Sequence, residues 1–148
     1  MRALQQKEEL SSLLQAIQNA NENHQPLLLK ISPDVTRSEL ESILRVSLDH
    51  KIDGWILTNT TTSRPTDSNY PQKGGLSGEF LKNLSLQKLN ETLAILGSDR
   101  QGKLLVSAGG ILTSDDVNER LDKGADLIQV YAALVFQGPH FFEQVIPK

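Results

Sequence analysis

The sequence predicts an α/β protein built on a parallel sheet that is covered by helices. Short, continuously apolar runs alternate with amphipathic segments along the 148 residues, and this alternation is typical of β–α–β units. The composition, with 38% hydrophobic and 22% charged residues, is that of a globular chain. No linker rich in Pro, Gly or Ser divides it, so we expect one domain over residues 1–148 and no second domain.

Four apolar runs are predicted to form the strands of this sheet. Each is short, continuously apolar and typical of a strand that is buried on both faces. They are residues 26–31, 54–59, 103–108 and 125–131. A long polar stretch, residues 60–78, follows the second of them and carries two prolines and three glycines.

The segments between the strands are predicted to be helices. Thr36 with Glu39 three residues later has the pattern of a capping box, and Thr113 opens a helix whose apolar positions are Val117 and Leu121. The last helix is expected to begin at a proline, a residue that suits the first helical position. The five predicted helices cover residues 4–20, 36–48, 85–96, a segment that Thr113 opens and Gly124 ends, and a segment from Pro139.

Two architectures fit this order of elements. One is an open, doubly wound sheet, and the other is a (β/α)₈ barrel. A complete barrel needs about 250 residues, so four strands correspond to half of one. A flavodoxin-like sheet usually has five strands.

Several classes of protein are excluded by the residues that are absent. The chain has no cysteine and a net charge of −3, so a thiolate metal site, a disulfide scaffold and a nucleic-acid partner are not expected. It shows no long apolar run and no signal peptide. His24, His50 and His140 have no metal-ligand spacing and are predicted to be surface residues, so no metal site is predicted.

The working residues of parallel α/β folds lie just beyond the carboxyl ends of the strands. This rule selects residues 30–34, 58–62, 107–110 and 131–133. Gly109 and Gly110 would let backbone N–H groups approach a phosphate, together with Tyr131 and Ala132, or would form only a tight turn. Residues 74–78 form either a cover for the site or a flexible connector.

Two polar features at the strand ends leave alternatives open. Lys30 either pairs with an anion or extends its ammonium to solvent. The run from Thr58 to Thr62 either binds a ligand through groups such as the Asn59 amide or is a β-branched strand end followed by a turn.

The same segments resemble the quinone-linked (class 2) dihydroorotate dehydrogenases. The order and spacing of the matching residues agree along nearly the whole chain, and the Thr-Asn-Thr-Thr…Ser-Arg-Pro signature is highly specific. The matching segments are residues 29–34, 53–65, 74–78, 108–111, 124–131 and 138–139. The resemblance implies the carboxyl-terminal half of a TIM (β/α)₈ barrel that holds FMN.

The resemblance also implies roles for individual residues. Asn59 and Thr60 would bind the substrate ring, and Lys30 would lie beside the pyrimidine end of the flavin. Ala132 stands where the family usually has a hydroxyl residue, and Ala108 replaces a more usual valine. The implied cofactor-binding residues are Lys30, Thr58, Ser77, Gly78, Gly109, Gly110, Tyr131 and Ala132.

The resemblance covers only the carboxyl half of the family's chain. The general base is expected upstream of Met1, so no catalytic residue is predicted here, and we expect the chain alone to be inactive. The intact enzyme would oxidise dihydroorotate to orotate with quinone, as a peripheral protein of a bacterial inner membrane or in mitochondria. This part alone is expected to be soluble.

A half-barrel would leave two strand edges open, so self-association or pairing with the other half is expected. Two alternatives remain. One is a non-catalytic, phosphate-binding or scaffold half-barrel, and the other is another phosphate-binding barrel, such as those of histidine or tryptophan synthesis.

Overall fold

The computed structural model describes residues 7–66, 69–71 and 73–145, and within these ranges it contains four strands and six α-helices. Helices and strands alternate until the end of the fourth strand, where two short helices follow each other. In chain order the elements are α1 (Lys7–Ala20), β1 (Leu28–Ile31), α2 (Arg37–Asp49), β2 (Gly54–Leu57), α3 (Lys82–Leu96), β3 (Leu104–Ala108), α4 (Ser114–Asp122), β4 (Leu127–Gln129), α5 (Ala132–Gln137) and α6 (His140–Val145).

The four strands form one parallel sheet in the order β1-β2-β3-β4. Each strand pairs with the next one in the sequence, so that Leu28 lies opposite Gly54 and Gly54 opposite Leu104. A doubly wound sheet reverses its strand order at a switch point, and this sheet does not. The sequential order therefore decides for the wall of a barrel and against the open, doubly wound alternative.

The two faces of the sheet are covered very differently. Ile31, Trp55 and Leu105 point to one face and are fully buried in a cluster with Leu44 of α2 and Leu89 of α3. Side chains of neighbouring positions in a strand point to opposite faces.

The opposite face includes Lys30, Ile56, Val106 and Leu127, which follow one another across the sheet in register, and of these four only Val106 is buried. Lys30 is exposed, Ile56 is half-buried and Leu127 is 52% exposed. Helices on one face only are the arrangement of a barrel wall, whose other face lines the interior.

Local signals fix where the helices begin. Thr36 caps α2, and its capping box with Glu39 is present as predicted. Thr113 caps α4 as predicted, and Asp116 completes a second capping box there. Helix α3 begins at Lys82, three residues before the predicted start, because a 3₁₀ turn over Glu79–Leu81 leads into it.

The predicted strands were too long at their ends. The fourth was predicted over residues 125–131 and covers only Leu127–Gln129, since the chain turns at Tyr131 into α5. This helix was not predicted, because six residues are too few to show a helical period. The helix predicted to begin at Pro139 is α6, and residues 4–6 of the first predicted helix lie outside the described residues.

At two positions the burial of a residue differs from what the sequence pattern indicates. Leu121, in the helix that Thr113 was predicted to open, is 41% exposed, whereas the neighbouring Arg120 is completely buried. His50, predicted at the surface, is half-buried and bonds through Nε2 to Ser11 Oγ at 2.8 Å. In both cases the packing of a neighbouring element decides which side of the helix is covered, and the helix's own period does not show it.

Candidate functional site

One cavity of about 390 Å³ lies at the carboxyl edge of the sheet, within the size range of small-molecule sites. It is bordered by the ends of all four strands and by the loop after β2. The ten residues that the resemblance assigns to cofactor and substrate all line this cavity: Lys30, Thr58, Asn59, Thr60, Ser77, Gly78, Gly109, Gly110, Tyr131 and Ala132. The selected strand-end segments also contain residues that do not line it, among them Asp34, Thr62 and Ser107.

One end of the cavity is formed by the two glycines after β3. Gly109 and Gly110 have φ angles of +105° and +67°, a region that side chains rarely tolerate. A Cβ atom on Gly110 would lie 2.2 Å from Lys82 Cα, so this loop packs directly on the beginning of α3. Only glycine allows this approach to α3, and both glycines border the cavity with their backbone.

A group of charged side chains lies behind this loop. Lys82 Nζ forms an ion pair with Asp116, which also accepts hydrogen bonds from the backbone N–H groups of Leu112 and Thr113 at 2.9 and 3.0 Å. Burial raises the pKa of Asp116, but Lys82 and these N–H groups outweigh it, so the pKa lies below its ordinary value. The carboxylate therefore stays ionised and fixes the start of α4 against α3.

The other end of the cavity is polar. Lys30 Nζ, from β1, donates to Gln129 Oε1, from β4, at 3.4 Å, so these two side chains meet across the uncovered face of the sheet. Asn59 Oδ1 accepts the N–H of Thr60 at 2.8 Å, which leaves the amide nitrogen of Asn59 to donate elsewhere. The buried Thr58 hydroxyl donates to the Asn59 carbonyl at 2.8 Å. This end thus presents a cation and an amide donor.

The loop after β2 is held close to the cavity by Arg64. Its guanidinium donates to the carbonyl oxygens of Pro71 at 2.9 Å and Gly74 at 2.8 Å. Thr61 and Leu76 exchange both backbone hydrogen bonds, at 3.1 and 2.7 Å. These contacts bring Gly75, Ser77 and Gly78 to the cavity; residues 74–78 were expected to form either a cover for the site or a flexible connector.

Sequence reasoning missed several residues of this site. Gln129 could have been found, since it is a polar residue inside an otherwise apolar strand. The others carry no such signal, because apolar and small residues are common at strand ends. The missed lining residues are Leu81, Ile111, Gln129 and Val130. Gly75 and Ala108 also line the cavity and lie in segments that the sequence analysis selected, residues 74–78 and 107–110.

The fold and the cavity define one class of protein: the wall of an α/β barrel, with a cavity at the carboxyl ends of its strands. The family model described as dihydroorotate dehydrogenase matches residues 1–148, and the chain belongs to this family. This confirms the resemblance and sets aside the phosphate-binding barrels of other pathways.

Two relatives illustrate the match, and each is named dihydroorotate dehydrogenase (quinone). The protein from Novosphingobium aromaticivorans is 37% identical over 149 residues, which are 99% of this chain and 42% of that protein. The protein from Baumannia cicadellinicola is 40% identical over 154 residues, or 97% and 45% of the two chains. The chain therefore spans less than half the length of these relatives.

Solved structures agree with the fold. A crystal structure of DHODH from Eimeria tenella in complex with ferulenol has a TM-score of 0.86 and 30% sequence identity, over 97% of this chain and 44% of that one. Its ligand-free form has a TM-score of 0.85 and 29% identity. The prediction of an α/β half-barrel is confirmed. Among the described residues, no helix is long and apolar enough to cross a membrane.

Proposed function

We propose that this chain forms the FMN- and substrate-contacting wall of a dihydroorotate dehydrogenase that passes electrons to quinone in pyrimidine synthesis. The observation that carries this proposal is the convergence of all ten candidate residues on one cavity. A quinone acceptor would place the intact enzyme at a bacterial inner membrane or in mitochondria.

The residues of the glycine end fit the phosphate of FMN. The loop at Gly109 and Gly110 exposes backbone where any side chain would collide with Leu81 or Lys82, and a phosphate needs such close access to N–H groups. Tyr131 and Ala132 line the same cavity and would hold the phosphate from the β4 side.

The polar end fits a flavin ring and a carboxylated substrate ring. When bound, FMN supplies the chemistry of accepting a hydride from a substrate carbon. Lys30 would place its positive charge at the pyrimidine end of the flavin, and Gln129 orients the lysine ammonium. Asn59 and Thr60 would hold the substrate ring, the first through its amide donor.

A general base for the substrate proton is not provided by this wall. The described residues that line the cavity include no His, Asp or Glu, the side chains that most often act as general bases. Lys30 carries an ammonium group, which is not a base. We therefore propose that the base comes from another part of the enzyme and that this chain alone does not turn over dihydroorotate.

The test is an FMN titration of the purified chain, followed by flavin fluorescence. We expect saturable binding that Lys30→Ala weakens, while Lys123→Ala, a change of the same charge at an exposed residue outside the cavity, leaves it unchanged. Circular dichroism establishes that each variant is folded. A folded chain with no saturable FMN binding would overturn the proposal.

We also propose that the uncovered face of the sheet pairs with a second four-stranded half-barrel. The strands β1 and β4 are the edges of the sheet, and open edges favour further pairing. Leu127 on this face is 52% exposed, and Val135 and Phe136 of α5 are 59% and 84% exposed. Apolar exposure of this kind marks interaction surfaces.

In a purified sample, a second copy of the chain is the partner that can supply those strands. We expect sedimentation velocity to show a dimer at micromolar concentration. A chain that sediments as a monomer throughout, and is folded by circular dichroism, would contradict the pairing without affecting the FMN proposal.

A further inference from the structure

Arg120 is a completely buried arginine behind the glycine loop, and sequence reasoning did not single it out. Its Nη2 group donates to the carbonyl oxygens of Lys82 at 2.9 Å and Gly109 at 3.4 Å. Its Nη1 group donates to Ser107 Oγ at 3.2 Å. Arg120 thus connects β3, the glycine loop and the first residue of α3.

The charge of Arg120 has no carboxylate in ion-pair contact among the described residues. Asp116 pairs with Lys82 instead, and Asp116 and Glu119 attract the guanidinium only from beyond ion-pair distance. Burial lowers the pKa of Arg120, yet a guanidinium stays protonated in proteins. Arg120, Lys82 and Asp116 together therefore carry a net charge of +1, which Glu119 offsets only from beyond ion-pair distance.

A buried charge without a counter-ion is costly, and an anion bound on the other side of the loop would offset that cost. The buried Nε of Arg120, which has no hydrogen-bond partner in the described part of the chain, indicates the same incomplete compensation.

The contacts of the Gly109 carbonyl also fix the direction of the peptide group. This oxygen accepts Ser85 Oγ at 2.7 Å as well as Arg120, so it points toward α3 and α4. The Gly109–Gly110 peptide is trans, and in a planar trans peptide the N–H points opposite to the C=O. The N–H of Gly110 therefore points away from the buried side, toward the cavity.

We propose that Arg120 is a positioning residue for a phosphate group: it holds the Gly109 carbonyl away from the cavity and supplies a positive charge behind the loop. This inference rests on the proposed FMN site and deepens it. The consequence is that the site binds a ligand with a phosphate more tightly than the same ligand without one, since only the phosphate gains from both effects.

The experiment compares FMN with riboflavin, which lacks the phosphate. Arg120→Gln removes the charge and keeps a donor, and we expect it to lower the affinity for FMN by about tenfold or more. The affinity for riboflavin should change by less than about twofold. Arg45→Gln, at an exposed residue that forms an ion pair with Glu41, is the control of equal charge change.

Three outcomes would overturn the inference. If Arg120→Gln binds FMN as tightly as the unchanged chain, the charge has no role. If the affinities for FMN and riboflavin fall equally, Arg120 is merely structural. The third outcome is a folded Arg120→Lys variant, which keeps the charge, that no longer prefers FMN to riboflavin. This variant also provides the test if Arg120→Gln does not fold.

The outcome for the unchanged chain separates the two proposals. A chain that prefers FMN to riboflavin, with a preference that Arg120→Gln leaves intact, refutes only the role of Arg120. A chain that shows no such preference refutes the proposed phosphate site, and the role of Arg120 with it.

Discussion

Replacing Gly110 by alanine tests how closely the glycine loop must pack on α3. The new Cβ would lie 2.2 Å from Lys82 Cα and 2.3 Å from Lys82 N, both of them backbone atoms. Ordinary contact begins at 3.4 Å, and 3.4 minus 2.2 gives a displacement of about 1.2 Å for the loop or the start of α3. Such overpacking typically costs about 1–3 kcal/mol.

A second cost arises from the backbone conformation. Gly110 has a φ of +67°, where an alanine is less stable by roughly 1–2 kcal/mol. Together the two costs predict a loss of about 2–5 kcal/mol in the free energy of unfolding. FMN affinity should also fall by about tenfold or more, because the displaced N–H groups no longer meet the phosphate.

Gly102→Ala is the matched control for the backbone cost alone. Gly102 has a φ of +76°, and no atom lies within 4 Å of the point that a Cβ would occupy there. It lies just before the amino-terminal end of β3, whereas Gly110 follows the carboxyl end of that strand. Urea denaturation followed by circular dichroism gives both free energies, and flavin fluorescence gives the affinities. Equal destabilisation by the two variants, with FMN binding unchanged in Gly110→Ala, would refute the reasoning.

Three further predictions concern stability and the loop. Ser47→Ala removes the acceptor of Trp55 Nε1, bonded at 2.8 Å in the core, and we expect urea denaturation to show a loss of about 1–3 kcal/mol; an unchanged midpoint would contradict this. The lowered pKa of Asp116 contributes stability that is complete above about pH 4 and is lost as the pH falls through the folded-state value. In the Asp116→Asn variant, the free energy of unfolding should therefore fall less steeply as the pH is lowered below about 4. The same pH dependence in the variant and the unchanged chain would contradict this prediction. Arg64→Gln should speed amide hydrogen exchange at Thr61 and Leu76, which bond to each other across this loop, and leave that of β3 unchanged, since the guanidinium donates to carbonyls of the loop; uniform acceleration would indicate general unfolding instead.

Local chemistry accounts for what was predictable here. The capping box of Thr36 and Glu39 needs only residues three apart, so α2 begins where the sequence indicates. The apolar runs mark the strand centres for the same reason. Since parallel strands share one carboxyl edge, their final residues had to meet, and the candidate residues from four separate segments line one cavity.

The ends of elements were less predictable, because they depend on neighbours. The 3₁₀ turn before Lys82 and the turn at Tyr131 into α5 arise where the chain must leave the sheet edge. A helix of six residues shows no reliable period, so α5 carried no signal.

By itself, the sequence determined the class of fold, the centres of the strands and the residues that meet at the carboxyl edge. The first two depend on the local pattern of apolar residues, and the last follows because parallel strands all end at the same edge of the sheet. Only the tertiary structure decided that the helices cover one face of the sheet, that the strands follow in sequential order, and that Arg120 rather than Leu121 is buried. The physical reason is that burial is a property of the neighbours: a guanidinium enters a core only where carbonyl oxygens from other elements, here Lys82 and Gly109, are in place to accept its hydrogen bonds.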